Sequence, residues 1–147
     1  MIRTYFILLM LILGQIALGQ DLEKETLYFD FNSENVSCPY NLRFVIERDT
    51  TVQFNLCGKL IFLYDKENKV DTISKAAFNN LKIVRANDID SIRTAWFSRN
   101  DSILDIKYNN HRVPMPNQHI FNPYVVVGYV DDCYVVYPVR WKSVWRN

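Results

Sequence analysis

The sequence predicts a small α+β domain with an antiparallel sheet, one principal helix and a C-terminal β-hairpin. Three patterns predict this fold class. Apolar and polar residues alternate in two stretches, residues 42–46 and 52–56, with the period of a half-buried strand. Apolar residues recur at helical spacing between Ile89 and Ile103. β-branched and aromatic residues fill two runs between Tyr124 and Tyr137. Because no linker rich in Pro, Gly or Ser separates these patterns, we expect one domain over residues 20–147.

Composition limits the classes of function. The chain has 147 residues, of which 49% are hydrophobic, and this is enough apolar material for one buried core. The formal net charge is only +1, so the basic surface that a phosphate backbone requires is missing and no nucleic-acid partner is expected. With 4 glycines and 5 prolines, the chain is not of low complexity.

Residues 1–19 have the three parts of a cleaved signal peptide. Arg3 supplies a positive charge, residues 5–13 form a short apolar run, and residues 17–19 (Ala-Leu-Gly) provide the small residues that signal peptidase accepts. As a helix, residues 5–18 would span only about 21 Å, whereas the apolar core of a bilayer is roughly 30 Å thick. The sequence therefore predicts cleavage after Gly19 rather than a membrane anchor.

The predicted mature chain is neutral and exported. Of the 17 basic residues, one (Arg3) is removed with the signal peptide, which leaves 16 against 16 acidic residues. No second long apolar segment follows, so no transmembrane span is expected after cleavage. The many Asn, Ile, Lys and Tyr residues are typical of an AT-rich genome, which favours the bacterial periplasm or the extracellular space.

Three cysteines remain in the mature chain, in a compartment where disulfides persist. We favour a disulfide between Cys38 and Cys57, because these residues flank a predicted hairpin. Spacing does not fix connectivity, so pairing of Cys57 with Cys133 is the alternative. Cys133 lies in an apolar run, where a buried thiol acting as a small hydrophobic group is the simplest interpretation.

The first half of the domain is predicted to be mostly β-structure. Leu27–Phe31 is an apolar run typical of a first strand. Two alternating stretches, residues 42–46 and 52–56, surround a polar turn at residues 48–50 and predict a hairpin with one buried and one wet face.

Leu60–Tyr64 is almost entirely apolar, as expected for a strand inside a sheet. The preceding Cys57-Gly58 pair permits two interpretations, a bulge in one long strand or a tight turn between two strands. Glycine suits both because it tolerates a positive φ. Residues 65–69 are predicted to form a charged turn.

Two helices are predicted in the middle of the chain. Ser74 is a suitable N-cap for a short helix that ends near residue 79. Asp88 is the expected cap of the principal helix, which we place from Asp88 to Ser98. Residues 99–102 either break this helix or form a polar face of a longer one.

The last third of the domain is predicted to be a loop followed by a hairpin. Two prolines one residue apart place residues 109–117 in a loop. Residues 124–130 and 133–137 are strand-like runs joined by Asp131 and Asp132, which are common turn residues.

No catalytic, metal or cofactor motif is evident. Cys133 with His111 or His119 is the only cysteine–histidine set that suggests a thiol-dependent enzyme, which is the alternative function. The two histidines match no ligand spacing, so no metal site is expected. Without a Gly-rich phosphate loop or a Gly-x-Ser-x-Gly sequence, no cofactor is expected either.

Aromatic side chains near the C terminus suggest a binding surface. Tyr134, Trp141 and Trp145 lie close to basic residues, which is typical of a face that binds a protein or stacks on a glycan. The alternative is that these rings fill the core. The sequence thus favours an exported, non-catalytic binding module with a protein or glycan ligand. A structural or inhibitory role for the loop at residues 109–117 is a third possibility, and the sequence does not fix the oligomeric state.

Overall fold

The computed structural model describes residues 22–32, 43–109, 111 and 114–142. These residues form a mixed α+β structure with two four-stranded sheets and one main helix, so the predicted α+β class and the principal helix are confirmed. The strands are β1 (Glu25–Asp30), β2 (Phe44–Glu47), β3 (Thr51–Leu56), β4 (Leu60–Asp65), β5 (Asp71–Ser74), β6 (Phe121–Gly128), β7 (Cys133–Pro138) and β8 (Arg140–Trp141). The helices are α1 (Lys75–Asn79), α2 (Ile89–Lys107) and α3 (Asn117–Ile120), with short 3₁₀ segments at Ala86–Asp88 and Val130–Asp132.

The single antiparallel sheet of the prediction is wrong. The first sheet has the strand order β1-β6-β7-β5, and the second sheet has the order β2-β3-β4-β8. In the first sheet, β1 and β6 run parallel, while its other pairs are antiparallel. An alternating pattern indicates that a strand has one buried face, but it does not specify which strand lies beside it. The parallel pairing of β1 with β6 therefore cannot be predicted from periodicity.

Two hairpins build the second sheet. The pairing of the predicted β2–β3 hairpin is confirmed, and its turn is closed by the Arg48 backbone N–H, which donates to the carbonyl of Thr51 at 2.9 Å. The prediction of one buried and one wet face is wrong, because all of β2 is exposed at the sheet edge, whereas polar Gln53 and Asn55 of β3 are buried. Between β3 and β4 the chain makes a tight turn, because Cys57 and Gly58 have φ values of 61° and 64°. Of the two interpretations of this pair, the turn is correct. The Asn55 side chain accepts a hydrogen bond from the Gly58 N–H at 3.2 Å and supports it.

The core lies between the two sheets and is rich in aromatic rings. Phe29 of β1 and Phe62 of β4 face each other with ring centroids 5.0 Å apart. Phe54 of β3 lies 5.2 Å from Tyr137 of β7. Trp141 of β8 completes the cluster at 4.7 Å from Phe62. Offset and tilted packing at these distances is favourable for aromatic pairs and fixes the two sheets against each other.

The helices begin as the sequence predicts, but the main helix is longer. The Ser74 hydroxyl accepts a hydrogen bond from the Ala77 N–H at 3.3 Å, which confirms the cap of α1. Helix α2 continues past Ser98 to Lys107, so residues 99–102 form part of it. The Asp88 side chain makes no capping hydrogen bond. Instead, the Asp88 carbonyl accepts a hydrogen bond from the Ser91 hydroxyl at 2.7 Å.

The C-terminal pairing of β6 with β7 agrees roughly with the predicted hairpin. The connection contains Asp131 and Asp132, both in the left-handed region with φ values of 63° and 58°. After β7 the chain leaves the first sheet. It continues through Val139 into β8, which pairs with β4 of the second sheet.

The predicted signal peptide at residues 1–19 lies outside the described residues. In the part of the chain that the structure describes, we find no helix with the length and apolar character needed to cross a bilayer.

Candidate ligand groove beside the main helix

A groove with a volume of about 640 Å³ runs between helix α2 and the segment that leads to α3. We call it the α2 groove. Its floor is apolar, and its rim carries charged and polar side chains. The residues that line it are Arg93, Phe97, Ser98, Asp101, Leu104, Asp105, Tyr108, His111, Pro114 and Met115. A volume of 300–1,000 Å³ with an apolar lining and a few polar groups is typical of ligand sites.

The sequence builds the helical wall of the groove by simple spacing. Arg93, Phe97, Asp101, Leu104 and Tyr108 are separated by four, four, three and four residues. Residues at these intervals lie on one face of an α-helix. The wall is complete only because α2 extends to Lys107.

Arg93 fixes the opposite wall to the helix. Its guanidinium donates to the carbonyl of Met115 and to the side-chain oxygen of Asn117, both at 2.6 Å. The same guanidinium lies 5.5 Å from the centre of the Phe97 ring. Hydrogen bonds from a charged donor are stronger than neutral ones, so this contact anchors the segment before α3 beside α2.

The rim of the groove is acidic. Asp101 and Asp105 are exposed and lie one helical turn apart. Within the described residues, neither side chain makes an ion pair or a hydrogen bond. The positive charge of Arg93 is already directed to Met115 and Asn117. The two carboxylates therefore leave the rim open to a positively charged group.

The structure does not bring the predicted aromatic surface together. Tyr134 stacks on Phe78 of α1 with ring centroids 4.0 Å apart. Tyr137, three residues further along β7, points into the core, so Tyr134 lies on the opposite face of the first sheet. Trp141 belongs to the second sheet and packs against Phe62. Of the predicted set, Trp145 lies outside the described residues.

Cys133 has no histidine as a hydrogen-bond partner within the described residues. It begins β7, beside the end of β6. His119 lies just before the start of β6, so the length of that strand, about 23 Å for seven residue steps, separates the two. His111 lines the α2 groove, and Cys133 does not. A general base must come within about 3 Å of the proton that it removes, so this arrangement gives the thiol-dependent enzyme no support.

The structure describes two of the three cysteines of the predicted mature chain. Cys133 is a free, half-buried thiol, whereas Cys57 is disulfide-bonded. The alternative pairing of Cys57 with Cys133 is therefore wrong. Cys38 lies outside the described residues, so the favoured disulfide between Cys38 and Cys57 stays a prediction.

Sequence reasoning missed the groove because it placed the main helix to Ser98 and left open whether residues 99–102 continue it. Beyond Ser98, the apolar and acidic positions of α2 continue at helical intervals, and this signal would have identified its wall. The contact of Arg93 with Met115 and Asn117 has no signal in the sequence, because it joins residues more than twenty positions apart.

Comparison with known proteins yields no match, since no family model, curated protein or solved structure is similar to this chain. In the described residues, no group of three or more His, Cys, Asp or Glu side chains is placed to hold a metal ion.

Proposed function

We propose that this protein is an exported, non-catalytic binding module that holds a short, positively charged segment of a partner protein in the α2 groove. The observation that carries the proposal is a groove with an apolar part and two rim carboxylates that pair with no described residue. Export follows from the predicted signal peptide and is part of the proposal.

The length of the groove suits an extended peptide. Its helical wall extends from Arg93 to Tyr108, or fifteen residue steps. At a rise of about 1.5 Å per residue this wall is about 22 Å long. An extended chain advances about 3.3 Å per residue, so roughly seven residues would lie along it. A single sugar ring would occupy only a small part of this length.

The floor and the rim of the groove favour different kinds of side chain in the ligand. Phe97, Leu104 and Met115 are half-buried and provide an apolar floor for aliphatic or aromatic side chains. Asp101 and Asp105 provide negative charge for Lys or Arg side chains, which gives specificity and accelerates association. The ligand that fits best therefore combines apolar residues with at least one basic residue.

A glycan fits the groove less well than a peptide. Sugars stack on the open faces of aromatic rings. The Arg93 guanidinium lies over the Phe97 ring, so one face of that ring is already in contact with a cation.

The proposal is tested with an array of seven-residue peptides that share apolar central residues and carry basic, neutral or acidic flanks. We expect the mature chain to bind the basic peptides best. The double variant Asp101→Asn/Asp105→Asn should lose about fivefold in affinity for them, because each exposed ion pair contributes up to about 1 kcal/mol.

The matched control is Glu67→Gln, which removes an exposed carboxylate far along the chain from the groove. This variant should bind like the wild type. The proposal is contradicted if no peptide class is retained, or if the double variant and the wild type bind basic peptides equally well.

A further inference from the structure

We propose that the protein forms a two-fold symmetric dimer in which β2 pairs antiparallel with β2 of a second copy, joining the two second sheets into one sheet of eight strands. This inference concerns a different surface from the α2 groove and does not depend on the proposed function. It rests on three properties of β2, namely its exposure, the direction of its backbone groups and the order of its side chains.

β2 is an apolar strand at an open edge. It pairs with β3 on one side, and no described strand pairs with its other side. Phe44, Val45 and Ile46 are 44%, 46% and 38% exposed. Natural edge strands are usually protected by charges, prolines or bulges, because an open edge is a template for another strand. In β2 the first three residues have none of these features, and Glu47 is its one charged residue.

The backbone of β2 has hydrogen-bonding groups available for a second strand. The Arg48 N–H donates to the carbonyl of Thr51, so these two residues form a hydrogen-bonded pair. In an antiparallel ladder, hydrogen-bonded and non-hydrogen-bonded pairs alternate. Ile46 and Phe44 are therefore bonded to β3, while the N–H and C=O groups of Val45 and Glu47 point away from the sheet.

One register makes β2 complementary to itself. When the two-fold axis passes at Val45, this residue faces the partner's Val45. Phe44 then faces the partner's Ile46, and Arg43 faces the partner's Glu47. Apolar residues meet apolar residues and opposite charges meet, which is favourable for cross-strand pairs. A shift to the register centred on Ile46 would place Phe44 opposite the partner's Arg48.

The charges at the ends of the strand are compatible with this pairing. The Glu47 carboxylate accepts a hydrogen bond from Lys66 at 2.8 Å, and its side chain is still 74% exposed. The hydrogen bond and the charge of Lys66 hold the pKa of Glu47 below its ordinary value, so the carboxylate is ionised at neutral pH. Arg43 directly precedes β2, and its guanidinium donates to the carbonyl of Phe31, just beyond β1, at 3.2 Å.

The test uses the one position that faces itself. In the proposed register, Val45→Lys places two lysines opposite each other, and Val45→Glu places two glutamates opposite each other. Because Val45 is 46% exposed, the longer side chain of either variant can extend into solvent. Sedimentation equilibrium should show a dimer for the wild type and at least a tenfold higher dissociation constant for each variant alone. An equimolar mixture of the two variants should form a heterodimer, because Lys then faces Glu.

Ile106→Lys is the matched control, since Ile106 is an exposed apolar residue on α2 and should not affect the dimer. Circular dichroism of each variant establishes that it is folded. A monomeric wild type at about 1 mM, which corresponds to less than about 4 kcal/mol of association free energy, overturns the proposal. It is also overturned if each variant dimerises as tightly as the wild type, or if mixing folded variants restores no dimer.

Discussion

Strands β2 and β4 belong to the same sheet and have similar apolar sequences, but they have opposite environments. In β4, Leu60, Phe62 and Tyr64 are buried, and the residues between them are half-buried. All four residues of β2 are exposed. β4 lies between β3 and β8 and faces the first sheet, whereas β2 lies at the edge. The comparison shows that an apolar strand is buried by its place in the strand order, and not by its composition alone.

The largest expected loss of stability comes from a substitution in the buried strand β4. Phe62→Ala removes a side chain with 0% exposure and two close aromatic neighbours, Phe29 and Trp141. We expect it to lower the free energy of unfolding by about 3–5 kcal/mol, because a buried cavity is left. Urea denaturation followed by tryptophan fluorescence measures this change.

Phe44→Ala is the matched change in β2. It should cost less than half as much in the monomer, because Phe44 is 44% exposed and much less covered surface is lost than at Phe62. Equal losses at positions 62 and 44 would show that β2 is as well packed as β4, and the comparison would then fail.

An intermediate loss of stability is expected from a substitution in the turn between β3 and β4. Gly58 has a φ of 64°, a conformation that an alanine adopts only at a cost of about 1–2 kcal/mol. An added Cβ would meet no atom within 4 Å, so Gly58→Ala should destabilise through the backbone alone. Gly128 is the control, because no positive φ is required there and an added Cβ would lie 3.7 Å from Tyr134. Thermal unfolding of both variants should show a clear loss only for Gly58→Ala, and an equal loss in both would refute this explanation.

The smallest effect concerns alkaline pH. Burial against the second sheet raises the pKa of the Tyr137 phenol above its ordinary value of 10.0, and nearby Tyr64 adds to the shift. The pKa of Tyr137 is higher in the folded state than in the unfolded state. Its contribution to the free energy of unfolding is therefore fully present below the unfolded-state pKa. It is lost as pH rises through the folded-state value.

Tyr137→Phe should therefore lose less stability than the wild type when the urea midpoint is compared between about pH 9 and pH 11. Tyr108→Phe removes a phenol at the end of α2, which is not among the groups that shift the pKa of Tyr137, and controls for the loss of one ionisable group. If both variants follow the wild type across this range, Tyr137 has no role in the alkaline transition.

Local structure in this chain was predictable because short-range physics decides it. The β2–β3 hairpin follows from alternation around a polar turn, and the Ser74 cap follows from a hydroxyl placed before a helical pattern. The extent of α2 was not fixed, since residues 99–102 are compatible with a cap or with a polar helical face. The structure shows the second outcome, a helix that continues to Lys107.

Long-range arrangement was not predictable from the same residues. Trp141 was a candidate for a binding surface, but the change of sheets at Val139 directs it into the core beside Phe62. The α2 groove was missed because its two walls are distant in sequence and are joined by the Arg93 guanidinium.

The sequence by itself determined the mixed α+β class, the first hairpin, the start of each main helical segment and the prediction of export. These features depend on hydrophobic period, capping and composition, which act over a few residues. Only the tertiary structure decided that there are two sheets, that β1 lies parallel to β6, that β2 is left at an edge and that the α2 groove is open. Those outcomes depend on which distant strands and side chains meet, and a periodic pattern carries no information about the identity of its partner.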